Sequence, residues 1–135
     1  MASFLFKTEP SEYAFADLVR DRRTTWSGVR NPTALIHLRS VKRGDTVVIY
    51  HSGKDKAAIG LAKVATAPYA DPTLDDPRHV VVDLTPVRAF GKPVPLAAFR
   101  ADPILKSTEL VRISRLSVMP LTESHLVRLL KLAAD

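Results

Sequence analysis

The sequence predicts an α+β fold: a mixed β-barrel of about five to six strands with helices flanking or plugging it. Three observations point there. The chain has 135 residues, 46% hydrophobic and 25% charged, an ordinary globular balance in which roughly two thirds of the unfolded surface can be buried. Its middle is rich in β-branched segments separated by polar turns. Capped, helix-spaced segments lie towards both ends.

The elements follow in order. Residues 3–7, SFLFK, read as an opening apolar strand. Ser11 offers an N-cap to a short helix with Ala14, Phe15, Leu18 and Val19 on one face. Thr24 to Asn31, TTWSGVRN, has no clean period and reads as a structured loop. Asn31 and Pro32 then make a strong helix start, a capping side chain followed by a proline at the first helical position. Leu35, Leu38 and Val41 form that helix's buried face, and Lys42-Arg43-Gly44 ends it. Asp45 to His51 and Ala57 to Val64 read as a hairpin around the polar turn Ser52 to Lys56. Tyr69 to Pro77 is a loop, and His79 to Phe90 a long strand in which Pro86 implies an edge or a bulge. Leu96 to Phe99 is at most a helical turn, and Ile113 to Val118 a last strand. Thr122 caps a final helix with Leu126, Leu129, Leu130 and Ala133 on one face. The expectation is a single domain over residues 1–135.

Composition narrows the chemistry. There is no cysteine, which removes disulfides, thiol nucleophiles and cysteine-based metal centres. No run approaches the length of a membrane span, and Glu9 arrives too early for a signal peptide's apolar core, so a cytoplasmic domain with no membrane association is expected. His37, His51, His79 and His125 lack metal-ligand spacing, and the phosphate-loop and nucleophile-elbow patterns are absent. His51 and Ser52 are neighbours on a strand and so point to opposite faces, which is awkward for a base and its nucleophile. No catalytic group, cofactor or metal is predicted.

Net charge is +6, with a sequence isoelectric point near 9.9. Arg20, Arg22, Arg23, Arg30, Arg39, Lys42 and Arg43 are interrupted by one acid, Asp21. Such a concentration favours a polyanionic partner, nucleic acid being the commonest, though basic surfaces also serve solubility alone. Trp26 is the single tryptophan and sits in a polar, basic loop. Two roles are open to it: a lid over one end of the core, or a platform on which a nucleobase stacks. Ser27, Arg30 and Asn31 beside it could supply edge hydrogen bonds and a phosphate contact, Asn31 having a competing duty as helix cap.

The segments FLFKTEPSEYAFADL, TTWSGVRNPTALIHLR, KRGDTVVIYHSGKDKAAIGLAKV, YADPT and RLSVMPLT, in this order, resemble the EVE domain, a PUA-like barrel related to the YTH readers of methylated RNA. The match runs from Phe4 to about Leu130 and is weakest over Asp76 to Lys106. The resemblance implies a PUA-like fold and a non-catalytic reader that takes a modified base, chiefly a 5-modified cytosine in DNA, into an aromatic pocket. An RNA-binding module acting on tRNA or rRNA is the alternative, and a small-molecule hydrolase using the same pocket a third. Carried over by motif, Trp26 becomes the cage aromatic, with Ser27, Val29, Arg30 and Asn31 around it. Tyr50, His51 and Ser52 form a second side; Lys7, Thr8 and Glu9 supply the end of the first strand, and Arg115, Leu116 and Ser117 the approach to the last. Arg20, Arg22, Arg23, Arg39, Lys42 and Arg43 would contact backbone phosphates. A monomer is expected, with any nuclease or base-modifying enzyme a separate partner.

Overall fold

The computed structural model describes residues 1–134. Its centre is a strand buried on both faces. Strand β1 (Ser3–Thr8) lies between β3 (Thr46–His51), to which it is parallel, and β7 (Val118–Leu121), to which it is antiparallel. Double-sided burial explains its continuous apolar run, Phe4-Leu5-Phe6. Strand β4 (Ala57–Val64) pairs with β3 as the expected hairpin, and then with the 16-residue β6 (Val80–Pro95). The sheet order is β2-β6-β4-β3-β1-β7, with the two-residue β5 (Tyr69–Ala70) pairing on β6. The sheet curls into the half-barrel of a PUA-like α+β fold.

Among the described residues five α-helices cover it: α1 (Phe15–Asp21), α2 (Pro32–Ser40), α3 (Leu96–Ala101), α4 (Glu109–Arg112) and α5 (Glu123–Ala133). Helix α2 starts as expected: the Asn31 side chain accepts from the Thr33 and Ala34 amides at 2.9 and 3.1 Å. Its Ala34, Leu35 and Leu38 are buried, and it touches both β6 and β7, bridging towards the two margins of the curled sheet. The Thr122 cap of α5 is also present, accepting from the His125 amide at 3.1 Å. Among the described residues, no helix is long and apolar enough to cross a membrane.

Several local expectations are corrected. Thr24–Trp26 is strand β2, paired with Val82–Leu84 of β6; three β-favouring residues suffice when a long neighbouring strand offers its edge. Helix α1 begins at Phe15, capped at Ala14, whose amide donates to the Asp17 carboxylate at 2.7 Å, while Ser11 is spent on Glu9. Val19 faces solvent. The last strand is Val118–Leu121, and residues 113–117 precede it without strand structure. Leu96–Ala101 is a full short helix, followed by a 3-10 turn at Leu105–Ser107 and by α4. The Asp102 carboxylate organises that region, accepting from the Ile104 and Leu105 amides and from Arg128 Nε at 2.7 Å. The bulge expected at Pro86 is present: the β4–β6 register shifts between Leu61 and Ala62, which pair with Arg88 and Pro86 and leave Val87 extra. Gly60 of β4 has no room for a side chain. A Cβ there would lie 2.7 Å from the Phe15 ring and 2.8 Å from the Arg88 carbonyl oxygen, so α1 packs directly on backbone.

Ionisation ties this fold to pH. Burial pushes the Asp102 carboxyl up, but Arg128 and the two amides outweigh it and hold the group below its ordinary value. Hydrogen bonds from Arg78 bring Asp76 down to about 2, and the Tyr69 hydroxyl and then Arg23 lower Asp83. These folded carboxylates release protons more readily than the unfolded chain, in which Asp titrates near 3.9. Their stabilisation is complete above that value and is lost as pH falls through the lowered range. His125 acts earlier. Burial lowers its pKa from 6.5, so as pH drops below about 6.5 the unfolded state takes a proton that the folded state refuses. Urea midpoints should therefore decline first from about pH 6.5 and again below about pH 4. His125→Gln should abolish the first decline and keep the second; a first decline surviving that change would assign it elsewhere.

Candidate nucleic-acid interface

The curl of the sheet brings β2, at one margin, to face the β1–β7 pair at the other. Between them lies a cleft of about 330 Å³. One wall is the end of β1, Lys7, Thr8 and Glu9, with Ser117 beside it; the Lys7 amide donates to the Ser117 carbonyl at 2.8 Å and joins the two strands there. The opposite wall is β2 and the turn after it, from Thr24 to Val29. Glu12 and Tyr13 close the third side.

Trp26 is packed into the core and also borders the cleft. It is 9% exposed, with its ring 5.8 Å from Phe6 and 6.3 Å from an edge-on Tyr13, yet it still lines the cleft. The alternation of β2 explains this, since Thr25 points outward and Trp26 inward. Gly28 follows with φ +80° and open space where a Cβ would sit, a left-handed turn that glycine makes without strain.

Most polar groups around the cleft already have partners. Lys7 Nζ donates to the Ser114 carbonyl at 2.8 Å and lies 6.0 Å from the Tyr50 ring centroid; burial lowers its pKa. Thr8 Oγ1 donates to the Tyr13 carbonyl at 2.6 Å. Glu9 accepts from the amide and hydroxyl of Ser11 at 3.1 and 3.0 Å, and its carboxylate rests on Gly53, where any side chain would collide with it. The Tyr13 hydroxyl donates to Asp21 at 2.9 Å, and burial first of all raises its pKa. The cleft thus offers carboxylates, a lysine and hydroxyls, with no histidine among its lining residues.

The structure therefore gathers Lys7, Thr8, Glu9, Trp26, Ser27, Val29 and Ser117 in one place. Other expected residues stand elsewhere. Tyr50 is buried edge-on against Phe99. His51, 7% exposed, accepts the Phe15 amide at Nε2 (3.0 Å), which leaves Nδ1–H to donate to Asp55 at 3.0 Å. It is a strut between β3 and the start of α1. Ser52 sits behind the wall, its amide donating to the Thr8 carbonyl. Arg30 lies past the turn, Asn31 is the α2 cap, Arg115 is exposed outside the cleft and Leu116 is core. Of the basic residues, Arg20 is held by Asp17 and Asp21, and Arg23 by Asp83. Arg22 is the left-handed C-cap of α1, and Lys42 and Arg43 flank a separate hollow near Met1. Arg39 reaches across to the Arg78 carbonyl. Glu12, Tyr13, Thr24, Thr25 and Gly28 line the cleft without having been foreseen. For Thr24 the signal was available, because reading TTW as a strand puts Thr24 on the same face as Trp26.

Away from the cleft, Ser107 and His125 form a pair that resembles a nucleophile and its base. Their chemistry is structural. The Thr122 amide donates to His125 Nδ1 at 3.1 Å, so the ring proton is on Nε2 and points to Ser107 Oγ at 2.8 Å. That tautomer donates to the hydroxyl and does not activate it.

An open, curled sheet with a tryptophan-walled cleft between its margins defines a PUA-like binding domain. The EVE domain profile matches residues 2–132, and the chain belongs to that family. Mouse thymocyte nuclear protein 1 is 30% identical over 156 residues, covering 90% of this chain and 69% of that protein. Among solved structures, a protein from Rhodopseudomonas palustris determined by NMR superposes with a TM-score of 0.93 at 35% identity, covering 98% of this chain and 93% of the other. The crystal structure of human THYN1 in complex with 5-methylcytosine-containing DNA superposes with a TM-score of 0.91 at 28% identity, covering 100% and 99%.

Proposed function

We propose that this domain binds DNA and takes a modified base, a 5-modified cytosine, into the cleft beside Trp26 without changing it chemically. What carries the reading is the agreement over the full chain with a protein crystallised on 5-methylcytosine-containing DNA, together with an aromatic-walled cleft in this chain. The cleft suits a flipped base: an indole at one side and hydrogen-bonding side chains at the rim. Binding without turnover is favoured because three of the four side chains that could act as acid or base there are committed to the fold, Lys7 to Ser114, Glu9 to Ser11 and Tyr13 to Asp21, which leaves Glu12 alone. A buried methyl contributes about 0.8 kcal/mol, so discrimination of methylcytosine from cytosine should be modest, of order tenfold or less.

The single tryptophan provides the test. Its fluorescence is followed while short strands carrying cytosine, 5-methylcytosine or 5-hydroxymethylcytosine are titrated in, with matched RNA strands as a further arm. The expected result is a quench that saturates earlier for a modified base in DNA, with the strand recovered unchanged. Equal titration curves for all bases would overturn the reader, earlier saturation by RNA would favour the RNA-binding alternative, and altered product would favour an enzyme.

A further inference from the structure

We infer that a second groove, between α2 and the segment leading into β6, holds the sugar–phosphate backbone of the strand whose base enters the cleft. This deepens the reading above and rests on it for the identity of the polymer. The groove encloses about 260 Å³. Its floor is apolar, made by Pro32, Leu35 and Ile36, and Ile36 is 58% exposed there although it sits on a helix with a well-packed opposite face. Its rim carries three guanidinium groups, Arg30, Arg39 and Arg78, with His79 beside them.

The rim is built, not incidental. Arg39 Nη1 donates to the Arg78 carbonyl at 2.9 Å and ties α2 to the opposite bank. Asp76 holds Arg78 through Nε and Nη2 at 3.1 and 2.9 Å, and stands 3.4 Å from His79 Nδ1, a buried ring nitrogen without a hydrogen bond. Arg30 is in no ion pair among the described residues, although its charge is felt at Asp71. Counting Asp76 and Asp71 against the three arginines leaves the site positive. Guanidinium groups over an apolar floor match a chain that alternates anionic phosphates with the apolar faces of sugars.

Continuity selects nucleic acid over an acidic polypeptide. The cleft wall ends at Val29 and the groove begins at Arg30, its neighbour in sequence. An occupant of both presents a flat base to one and an anionic backbone to the other. Sequence reading placed Arg30 beside the base and Arg39 among the phosphate contacts and gave Arg78 no role; the fold brings the three together.

The test is fluorescence anisotropy on a labelled duplex with one central 5-methylcytosine, and on its unmodified twin, across about 50–200 mM salt. Neutralising Arg30, Arg39 and Arg78 to alanine should make the slope of log K against log salt shallower by about two to three, since each phosphate left unneutralised removes about 0.9 from it. The affinity ratio between the two duplexes should stay unchanged. Ile36→Glu, which leaves every hydrogen bond of the groove in place, should weaken both duplexes by a similar factor, about threefold or more. An unchanged slope in the triple variant, with Ile36→Glu neutral, overturns the proposal. So does displacement of the duplex by polyglutamate of equal charge as effectively as by unlabelled DNA. A wild-type protein with no preference between the duplexes, whose slope nevertheless falls in the triple variant, would refute the base reader and leave the groove's assignment standing.

Discussion

Trp26→Ala is expected to lower stability by about 3–5 kcal/mol, because it empties a site packed against Phe6 and Tyr13 in the interior. Against a domain's usual total of roughly 5–15 kcal/mol that is a severe loss, visible as a large fall in the urea midpoint. Binding by the alanine variant alone would be uninformative, since a distorted β2 would spoil the cleft by itself. Trp26→Phe separates the two contributions. A phenyl ring keeps an aromatic contact with Phe6 but offers less surface to a stacked base, where base–aromatic stacking is worth about 1–3 kcal/mol. The phenylalanine variant should thus stay folded and lose several-fold in affinity for the modified strand, read by anisotropy. Full affinity in a folded phenylalanine variant would confine Trp26 to the core.

His51→Ala is the second large effect, and its signature is the reverse. The substitution orphans the buried Phe15 amide, which should cost about 1–3 kcal/mol in a urea titration. Preference for the modified base should survive, because His51 is not among the cleft-lining residues. Loss of preference at unchanged stability would return His51 to the site.

Much of this was legible from residues. Asn31-Pro32 is a local device, a cap and a preset φ, and it starts a helix wherever it is placed; Thr122 works in the same way. The end of β1 and Trp26 were found through motif resemblance, since no spacing rule joins residues 7 and 26. What failed has a common cause. Ser11 was judged by type and position, and Tyr50 and His51 were carried over by motif, but each is claimed by a long-range or neighbouring partner that pattern does not reveal: Glu9 for Ser11, Phe99 for Tyr50, the Phe15 amide for His51. The basic run shows the same limit. Arg20 and Arg23 count as positive in a sum, yet stand beside Asp17, Asp21 and Asp83 in space. Arg78 lies 48 positions beyond Arg30 and in the stretch where the family resemblance is weakest, so its place in the groove emerges only when Arg39 meets its carbonyl.

The margins of the sheet that form the cleft are not hydrogen-bonded to one another; β2 and β7 are the free ends of the strand order, and α2 touches β6 near one and β7 at the other. The cleft is therefore an aperture, its width set by how firmly a helix wedges two jaws apart. Leu38 at the heart of that wedge is fully enclosed and is not among the residues that line the cleft. Its packing nonetheless bears on the spacing of the jaws, so the width of the cleft can drift by substitutions hidden in the interior while every residue that lines it stays the same.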